Sequence, residues 1–150
     1  MTFPLIINSA STSKTESFGV DVANILLSDS SLPRFIALYG DLGVGKTAFV
    51  RGFTSAVAPS ARVKSPTFAL VNEYKGDRMS VFHFDMYRIT DEDDLYSIGF
   101  YDYLDREGVC LVEWSEKIPF AIPEDRICVT IEKNGPDLPD SRTVTIERVE

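Results

Sequence analysis

The chain has 150 residues, which is enough for one domain with a buried core and too few for two of ordinary size. Hydrophobic residues make up 44% and charged residues 25%, as in an ordinary globular domain, and no apolar stretch is long enough to cross a membrane. The formal net charge of −8 argues against a protein that grips nucleic acid alone, because such binding relies on clustered lysine and arginine; contact with RNA inside a larger complex stays open.

The N-terminus and the cysteines point to a cytoplasmic protein. No basic region precedes an apolar one near Met1 and no small-residue cleavage site follows, so we expect no signal peptide. Cys110 and Cys128 lie in apolar runs without the spacing of a metal-ligand or redox pair. They are predicted to be buried free thiols in a reducing compartment.

The first half of the chain predicts alternating strands and helices. The short apolar run Leu5–Ile7 predicts a strand, and apolar residues at helical spacing then predict a helix that ends within 29–33. Phe35–Tyr39 is continuously apolar, as expected for a central parallel strand covered on both faces. A second helix is predicted to open at Thr47 and to end near Ala58.

The second half predicts mainly strands. The runs 67–74 and 79–85, joined by a glycine turn, indicate a β-hairpin, and the acids of 90–93 are typical of a helix start. Further strands are predicted over 109–112, 127–131 and 143–147. This order favours an α/β fold whose mixed sheet has a parallel core and antiparallel additions.

A glycine-rich motif lies between the second strand and the second helix. Gly40-Asp41-Leu42-Gly43-Val44-Gly45-Lys46-Thr47 fits the P-loop pattern G-x-x-x-x-G-K-[ST] at each specified position, in the strand-to-helix context that distinguishes it from a chance match. Backbone N–H groups and the positive helix end are expected to face phosphates. Lys46 is expected to reach the β- and γ-phosphates, and Thr47 to be a magnesium ligand. We therefore predict one domain over 1–150, a P-loop NTPase-like three-layer sandwich that binds a nucleoside triphosphate with Mg²⁺.

Two acids at strand ends are candidates for holding magnesium or orienting a water. Glu113 follows the run Val109–Val112 and resembles a Walker B acid, whereas Asp85 follows the strand that contains His83. Glu113 has the alternative role of a strand-end carboxylate that faces solvent, and Asp85 that of a turn or cap residue. His83 either orients a water or a carboxylate, or is a structural histidine; period-two alternation puts it on one face with Asp85.

Five further residues are candidates for a switch or for coupling to a partner. Ser65 and Thr67 flank a proline before a strand, where a hydroxyl that senses the γ-phosphate competes with simple strand-entry chemistry. Tyr87 and Arg88 follow Asp85; they face either phosphates or a partner, or Arg88 is an ordinary solvated arginine. Trp114, directly after Glu113, is interpreted as a core or interface aromatic.

These motifs together resemble the TsaE (YjeE) family of small bacterial ATPases. The resemblance rests on residues spread over most of the chain, in the same order and at similar separations: the P-loop with Phe49 and Arg51-Gly52 behind it, Lys64-Ser65-Pro66-Thr67-Phe68, His83-Phe84-Asp85-Met86-Tyr87-Arg88, Ile98-Gly99 and Glu113-Trp114-Ser115-Glu116. Val44 and Met86 stand where alanine and leucine are common, and neither change alters a polar role. The tail after Ile122 is weakly matched.

The resemblance implies a function in tRNA modification. Members of the family serve the synthesis of threonylcarbamoyladenosine, bind a TsaB–TsaD heterodimer and hydrolyse ATP in support of repeated rounds of modification, with tRNA contacted only indirectly within the complex.

The resemblance also implies roles for individual residues. Lys46 and Thr47 would be the phosphate and magnesium residues, Glu113 a magnesium-associated acid and Asp85 a second acid affecting hydrolysis. The start of the first helix would lie beside the nucleotide base, with Thr12 and Thr15 as the candidates.

Three other functions compete with this interpretation. A small GTPase would need an N-K-x-D sequence, which the chain lacks, and a small P-loop kinase would need an arginine-bearing lid segment, which we do not find. A nucleotide-gated binding module with incidental hydrolysis would use the same site, so the sequence leaves that alternative open.

Overall fold

The computed structural model describes residues 3–41, 43–66 and 70–150. Its described residues form one mixed sheet between two helical layers, as predicted. The strands are β1 Leu5–Ser9, β2 Phe35–Tyr39, β3 Val71–Lys75, β4 Ser80–Asp85, β5 Gly108–Glu113, β6 Arg126–Lys133 and β7 Arg142–Val149. The helices are α1 Thr12–Ser28, α2 Lys46–Val57, α3 Glu92–Ser97 and α4 Phe100–Leu104, with a 3₁₀ turn at Ser115–Lys117.

Among the described residues the sheet has seven strands in the order β1-β7-β6-β2-β5-β4-β3. The four central strands, β6, β2, β5 and β4, run parallel. Strands β7 and β3 pair antiparallel with the two outer strands of this core, β6 and β4, and β1 pairs antiparallel with β7. This confirms the predicted parallel core with antiparallel additions. The predicted hairpin is β3–β4; of the segment predicted for its first strand, Thr67, Phe68 and Ala69 lie outside the described residues.

Each face of the sheet is covered by its own set of helices. Helices α1 and α2 pack on one face, where Phe18 and Phe49 meet Ile36 and Leu38 of β2. The other face carries α3, α4 and the 3₁₀ turn and contains both free cysteines, which are buried as predicted. No described helix is both long and apolar enough to span a membrane.

The parallel register brings several chemically important positions to one edge of the sheet. Leu38 of β2 pairs with Glu113 of β5, and Glu113 pairs with Asp85 of β4. The carboxyl ends of these three strands therefore meet beside the glycine-rich loop that follows β2. Ligands of open α/β sheets bind at this edge.

Candidate nucleotide site

The loop between β2 and α2 has a backbone that only glycine adopts easily. Gly40 has φ 141° and a Cβ there would lie 2.5 Å from the Ile131 carbonyl oxygen, while Gly45 has φ 118° and caps the N-terminus of α2. The helix directs its unpaired N–H groups and its positive end at the loop, which suits an anion. Asp41 lies in this loop and accepts a hydrogen bond from the Val44 N–H, at 3.3 Å; Leu42 lies outside the described residues.

Lys46 is almost buried, with 4% exposure, at the first position of α2. Its Nζ donates to the Gly40 carbonyl oxygen at 2.5 Å and lies 3.5 Å from the centroid of the Trp114 ring. Burial lowers the pKa of Lys46, and the nearby carboxylates, among them Glu113 and Asp85, oppose that shift. A cation in this position has much to gain from the negative charge of a phosphate.

Thr47 and Glu113 are brought into direct contact. The Thr47 hydroxyl donates to both carboxylate oxygens of Glu113, at 3.1 Å each, and Glu113 is only 4% exposed. The described residues contain no cluster of three or more His, Cys, Asp and Glu side chains suited to a metal. A hydroxyl and a carboxylate are nevertheless the donors that fit Mg²⁺ beside a nucleotide, because Mg²⁺ completes its octahedral coordination with phosphate oxygens and waters.

Asp85 is a half-buried carboxylate at the end of the neighbouring strand. Burial raises its pKa, and the negative charge of Glu113 acts in the same direction; the hydrogen bond from the Tyr87 N–H, 3.0 Å from Oδ1, opposes the shift together with His83 and Lys46. A carboxylate with raised proton affinity beside the phosphate loop is suited to accept a hydrogen bond from a water.

His83 is completely buried on the face of β4 that is turned toward Glu113. Its Nε2 lies 2.5 Å from Glu113 Oε2. Within the described part of the chain its Nδ1 has no hydrogen-bond partner. Of the roles predicted for His83, the structure therefore favours contact with a carboxylate.

An aromatic pair lies at the mouth of the site. Trp114 has φ 59°, a left-handed conformation at the residue directly after Glu113, and its ring lies 4.9 Å from that of Tyr87. Tyr87 is 52% exposed and has Lys117 on its ring at 5.5 Å. The pair reaches from Lys46 to the surface, as a coupling element would.

The remaining switch candidates lie in segments that flank β3 and β4. Arg88 is exposed in the turn after β4, and Ser65 is exposed in the segment before β3; both have interaction partners in the structure. Thr67 lies outside the described residues. Their switch roles stay predictions.

A small pocket of about 80 Å³ adjoins the glycine-rich loop. Thr12 and Thr15 of α1 line it together with Gly43, Val44 and Gly45, and their role beside a nucleotide base stays a prediction. The Thr15 side chain is buried, and its hydroxyl shares a 2.8 Å hydrogen bond with Ser9 Oγ. Thr12 is exposed, so of these two threonines it is the better placed to meet a ligand.

Asp140 and Arg142 also line this pocket, and sequence reasoning missed both. The Arg142 Nε donates to the Val44 carbonyl oxygen at 2.9 Å, which ties the β6–β7 connection to the glycine-rich loop. No motif in the tail marks these residues. The antiparallel return of β7 along β6 brings them there, a pairing that local sequence does not reveal.

Comparison with known proteins assigns the chain to a single group of relatives. The family model described as threonylcarbamoyl adenosine biosynthesis protein TsaE matches residues 9–144. The tRNA threonylcarbamoyladenosine biosynthesis protein TsaE of Haemophilus influenzae is 40% identical over 116 residues, which are 77% of this chain and 73% of that protein. The protein of the same name from Bacillus subtilis is 38% identical over 102 residues, 68% of this chain and 63% of its own length.

A solved structure has the same fold. The crystal structure of YdiB from Bacillus subtilis superimposes with a TM-score of 0.77 at 28% sequence identity. The match covers 100% of this chain and 88% of that chain.

Proposed function

The chain belongs to the TsaE family of threonylcarbamoyl adenosine biosynthesis proteins, and from this premise we propose that it binds Mg-ATP and hydrolyses it to support threonylcarbamoyladenosine modification of tRNA. The observation that carries the proposal is the contact between the Thr47 hydroxyl and the Glu113 carboxylate, beside Lys46 at the start of α2. A phosphate loop, a metal-binding hydroxyl and a strand-end acid are the parts that a P-loop nucleotide site requires.

The phosphates are bound by the loop amides, the N-terminus of α2 and Lys46. Without nucleotide, the Lys46 ammonium contacts the Gly40 carbonyl oxygen and the Trp114 ring. When nucleotide binds, phosphate oxygens replace these contacts, and they are stronger acceptors for a buried cation. Thr47 and Glu113 hold the magnesium ion. When bound, the metal neutralises charge on the phosphates and orients them for attack.

Asp85 orients the attacking water in this proposal. Both Glu113 oxygens are already engaged by Thr47, and one of them also by His83. The Asp85 carboxylate accepts a hydrogen bond from the Tyr87 N–H at Oδ1, and burial raises its pKa, which favours acceptance of a proton. Asp85→Asn should therefore lower phosphate release more than ATP affinity.

The proposed partner is a TsaB–TsaD heterodimer, in the cytoplasm, with tRNA met only inside that complex. The net charge of −8 supports indirect contact with tRNA, because an acidic surface repels the phosphate backbone. The aromatic pair of Tyr87 and Trp114 offers a route by which a bound partner would act on Lys46.

The experiment is steady-state phosphate release from Mg-ATP by this chain alone and with its cognate TsaB–TsaD pair. Slow release alone and clear stimulation by the pair are expected, and Lys46→Ala should abolish both. Release that ignores the pair would contradict the coupling and leave a nucleotide-gated module or a small kinase. Release by Lys46→Ala at the parent rate would show that the site is wrongly assigned.

A further inference from the structure

The single histidine of the chain contacts Glu113, one of the two residues proposed to hold the metal. His83 is fully buried in the central sheet, and its Nε2 lies 2.5 Å from Glu113 Oε2. The same carboxylate receives the Thr47 hydroxyl on both oxygens. One acid side chain thus joins the phosphate-loop helix to the histidine of the neighbouring strand.

The contact fixes the direction of the Glu113 carboxylate. A hydrogen bond to an ionised carboxylate is short and strong, and more so where water is excluded. The Thr47 hydroxyl lies 3.1 Å from both Glu113 oxygens and does not distinguish between them, whereas His83 contacts Oε2. With Oε2 held by His83, the carboxylate presents itself to Thr47 in one orientation.

Packing alone does not account for this histidine. An apolar side chain of similar volume would fill the space without an unpartnered ring nitrogen, whereas the His83 Nδ1 has no partner within the described residues. An imidazole therefore stands at a position where an apolar side chain would be less costly to bury. The bond from Nε2 to Glu113 is the feature that only the imidazole supplies.

We propose that His83 is a positioning residue for the magnesium site: by holding Glu113 in one orientation, it sets the affinity of the nucleotide-loaded protein for Mg²⁺. The inference rests on the proposed function, in which Thr47 and Glu113 hold the metal. Loss of a partner that orients a metal ligand typically weakens metal affinity about 10- to 100-fold, and we expect a change in that range for His83→Leu.

The test measures how the affinity for a fluorescent ATP analogue depends on Mg²⁺ concentration. Three variants are compared with the parent chain: His83→Leu, which removes the donor; His83→Gln, whose amide N–H replaces the donor near the Nε2 position; and Phe82→Leu. The Phe82 side chain is buried on the other face of the same strand and packs on Tyr103 and Arg106. It therefore controls for general loosening of β4.

In His83→Leu the Mg²⁺ requirement should rise about 10-fold or more, while affinity for the analogue without Mg²⁺ stays close to that of the parent. His83→Gln should recover a large part of the difference, and Phe82→Leu should lower the unfolding temperature without changing the Mg²⁺ dependence. A parent-like Mg²⁺ dependence in His83→Leu would overturn the inference. An analogue affinity that is indifferent to Mg²⁺ in the parent chain would overturn the proposed function, and this inference with it.

A measurement on the unmodified chain keeps the proposal testable should the variants not fold. Because the untagged protein has one histidine, its imidazole nitrogens give a single set of NMR signals. We expect a proton on Nε2 whose chemical shift is typical of a hydrogen bond. That chemical shift should change when Mg²⁺ is added to the nucleotide complex. An Nε2 without a proton would exclude donation to Glu113.

Discussion

At the scale of single residues, the site concentrates ionisable groups that are costly to bury. Lys46 and Glu113 are each 4% exposed and His83 is fully buried, all at one edge of the sheet. A buried charge lowers the stability of a fold unless it is paired; here His83 pairs with Glu113, and Lys46 donates to the Gly40 carbonyl oxygen. Their burial is understandable if a phosphate and a metal complete the set.

Lys46→Met tests this view of the buried cation. The variant should lose about 10- to 100-fold in ATP affinity, the usual effect of removing a hydrogen bond to a charged group. Without nucleotide it should unfold at the same temperature as the parent or a higher one, because the change removes the desolvation that lowers the Lys46 pKa. Calorimetric titration measures the ATP affinity, and thermal unfolding measures the stability without nucleotide. A clear fall in unfolding temperature would mean that Lys46 mainly stabilises the fold.

The residues of the site were predictable to different degrees. Lys46 and Thr47 follow from a contiguous motif, and Glu113 from its place at the end of an apolar strand. Contact of His83 with a carboxylate was one of its predicted roles, but the identity of that carboxylate as Glu113 was not predictable, because it depends on the parallel register of β4 against β5. The placement of Asp140 and Arg142 depends likewise on the return of β7, so no local pattern announces it.

At the scale of the elements, the packing of α1 on α2 fixes where the phosphate loop lies. The two helices meet through glycines: a Cβ on Gly52 would overlap the Glu16 carbonyl oxygen, and one on Gly19 would overlap the Phe49 carbonyl oxygen. An exposed ion pair between Arg51 and Glu16, at 2.9 Å, lies beside this contact. Close backbone approach, rather than the ion pair, holds α1 near the loop.

Gly52→Ala should therefore be strongly destabilising. Its methyl group would meet backbone atoms that cannot rotate away, and overpacking of this kind costs about 1–3 kcal/mol or more. For a chain of this size that corresponds to a fall of roughly 2–12 °C in unfolding temperature. Arg51→Ala is the matched control, since an exposed pair contributes only about 0.2–1 kcal/mol. A larger effect of Arg51→Ala than of Gly52→Ala would refute the glycine contact as the main determinant.

Long helices and continuous apolar strands were predicted from the sequence, whereas a very short helix was not. The continuous run of β2 and the 17-residue α1 were predicted, with boundaries close to those observed. Helix α4 was not predicted because its five residues, Phe100–Leu104, span little more than one turn and show no helical period. Its position beneath the sheet comes from burial of Phe100 against Phe35 and Phe84.

At the scale of the whole molecule, local hydrogen bonds stabilise the ionised form of several acidic side chains. Hydrogen bonds lower the pKa of three exposed carboxyls from the ordinary value of 3.8: Asp29 through the Ser31 hydroxyl, Asp94 through the Thr90 N–H, and Asp125 through the Arg148 guanidinium. Because these pKa values are lower in the native state, the unfolded chain takes up protons at a higher pH than the native chain does. The stabilisation is present in full above pH 3.8 and is lost as the pH falls through the native values.

The free energy of unfolding should therefore fall as the pH drops below about 4, measured by urea unfolding between pH 7 and pH 2.5. Asp94→Asn should be less stable than the parent at neutral pH, and the difference should shrink in acid. Asp137→Asn, in the β6–β7 connection, removes the same charge elsewhere and serves as the control. A difference between Asp94→Asn and the parent that persists unchanged to pH 2.5 would contradict the assignment.

Lys46, Thr47 and Glu113 are proposed to form one site for a magnesium-bound nucleotide, and direct titration tests this assignment most plainly. ATP is added to the nucleotide-free chain in a calorimeter, once with Mg²⁺ and once with excess EDTA. Saturable one-site binding with Mg²⁺, and markedly weaker binding in EDTA, are predicted. No binding in the presence of Mg²⁺, or equal affinity in both solutions, would contradict the account.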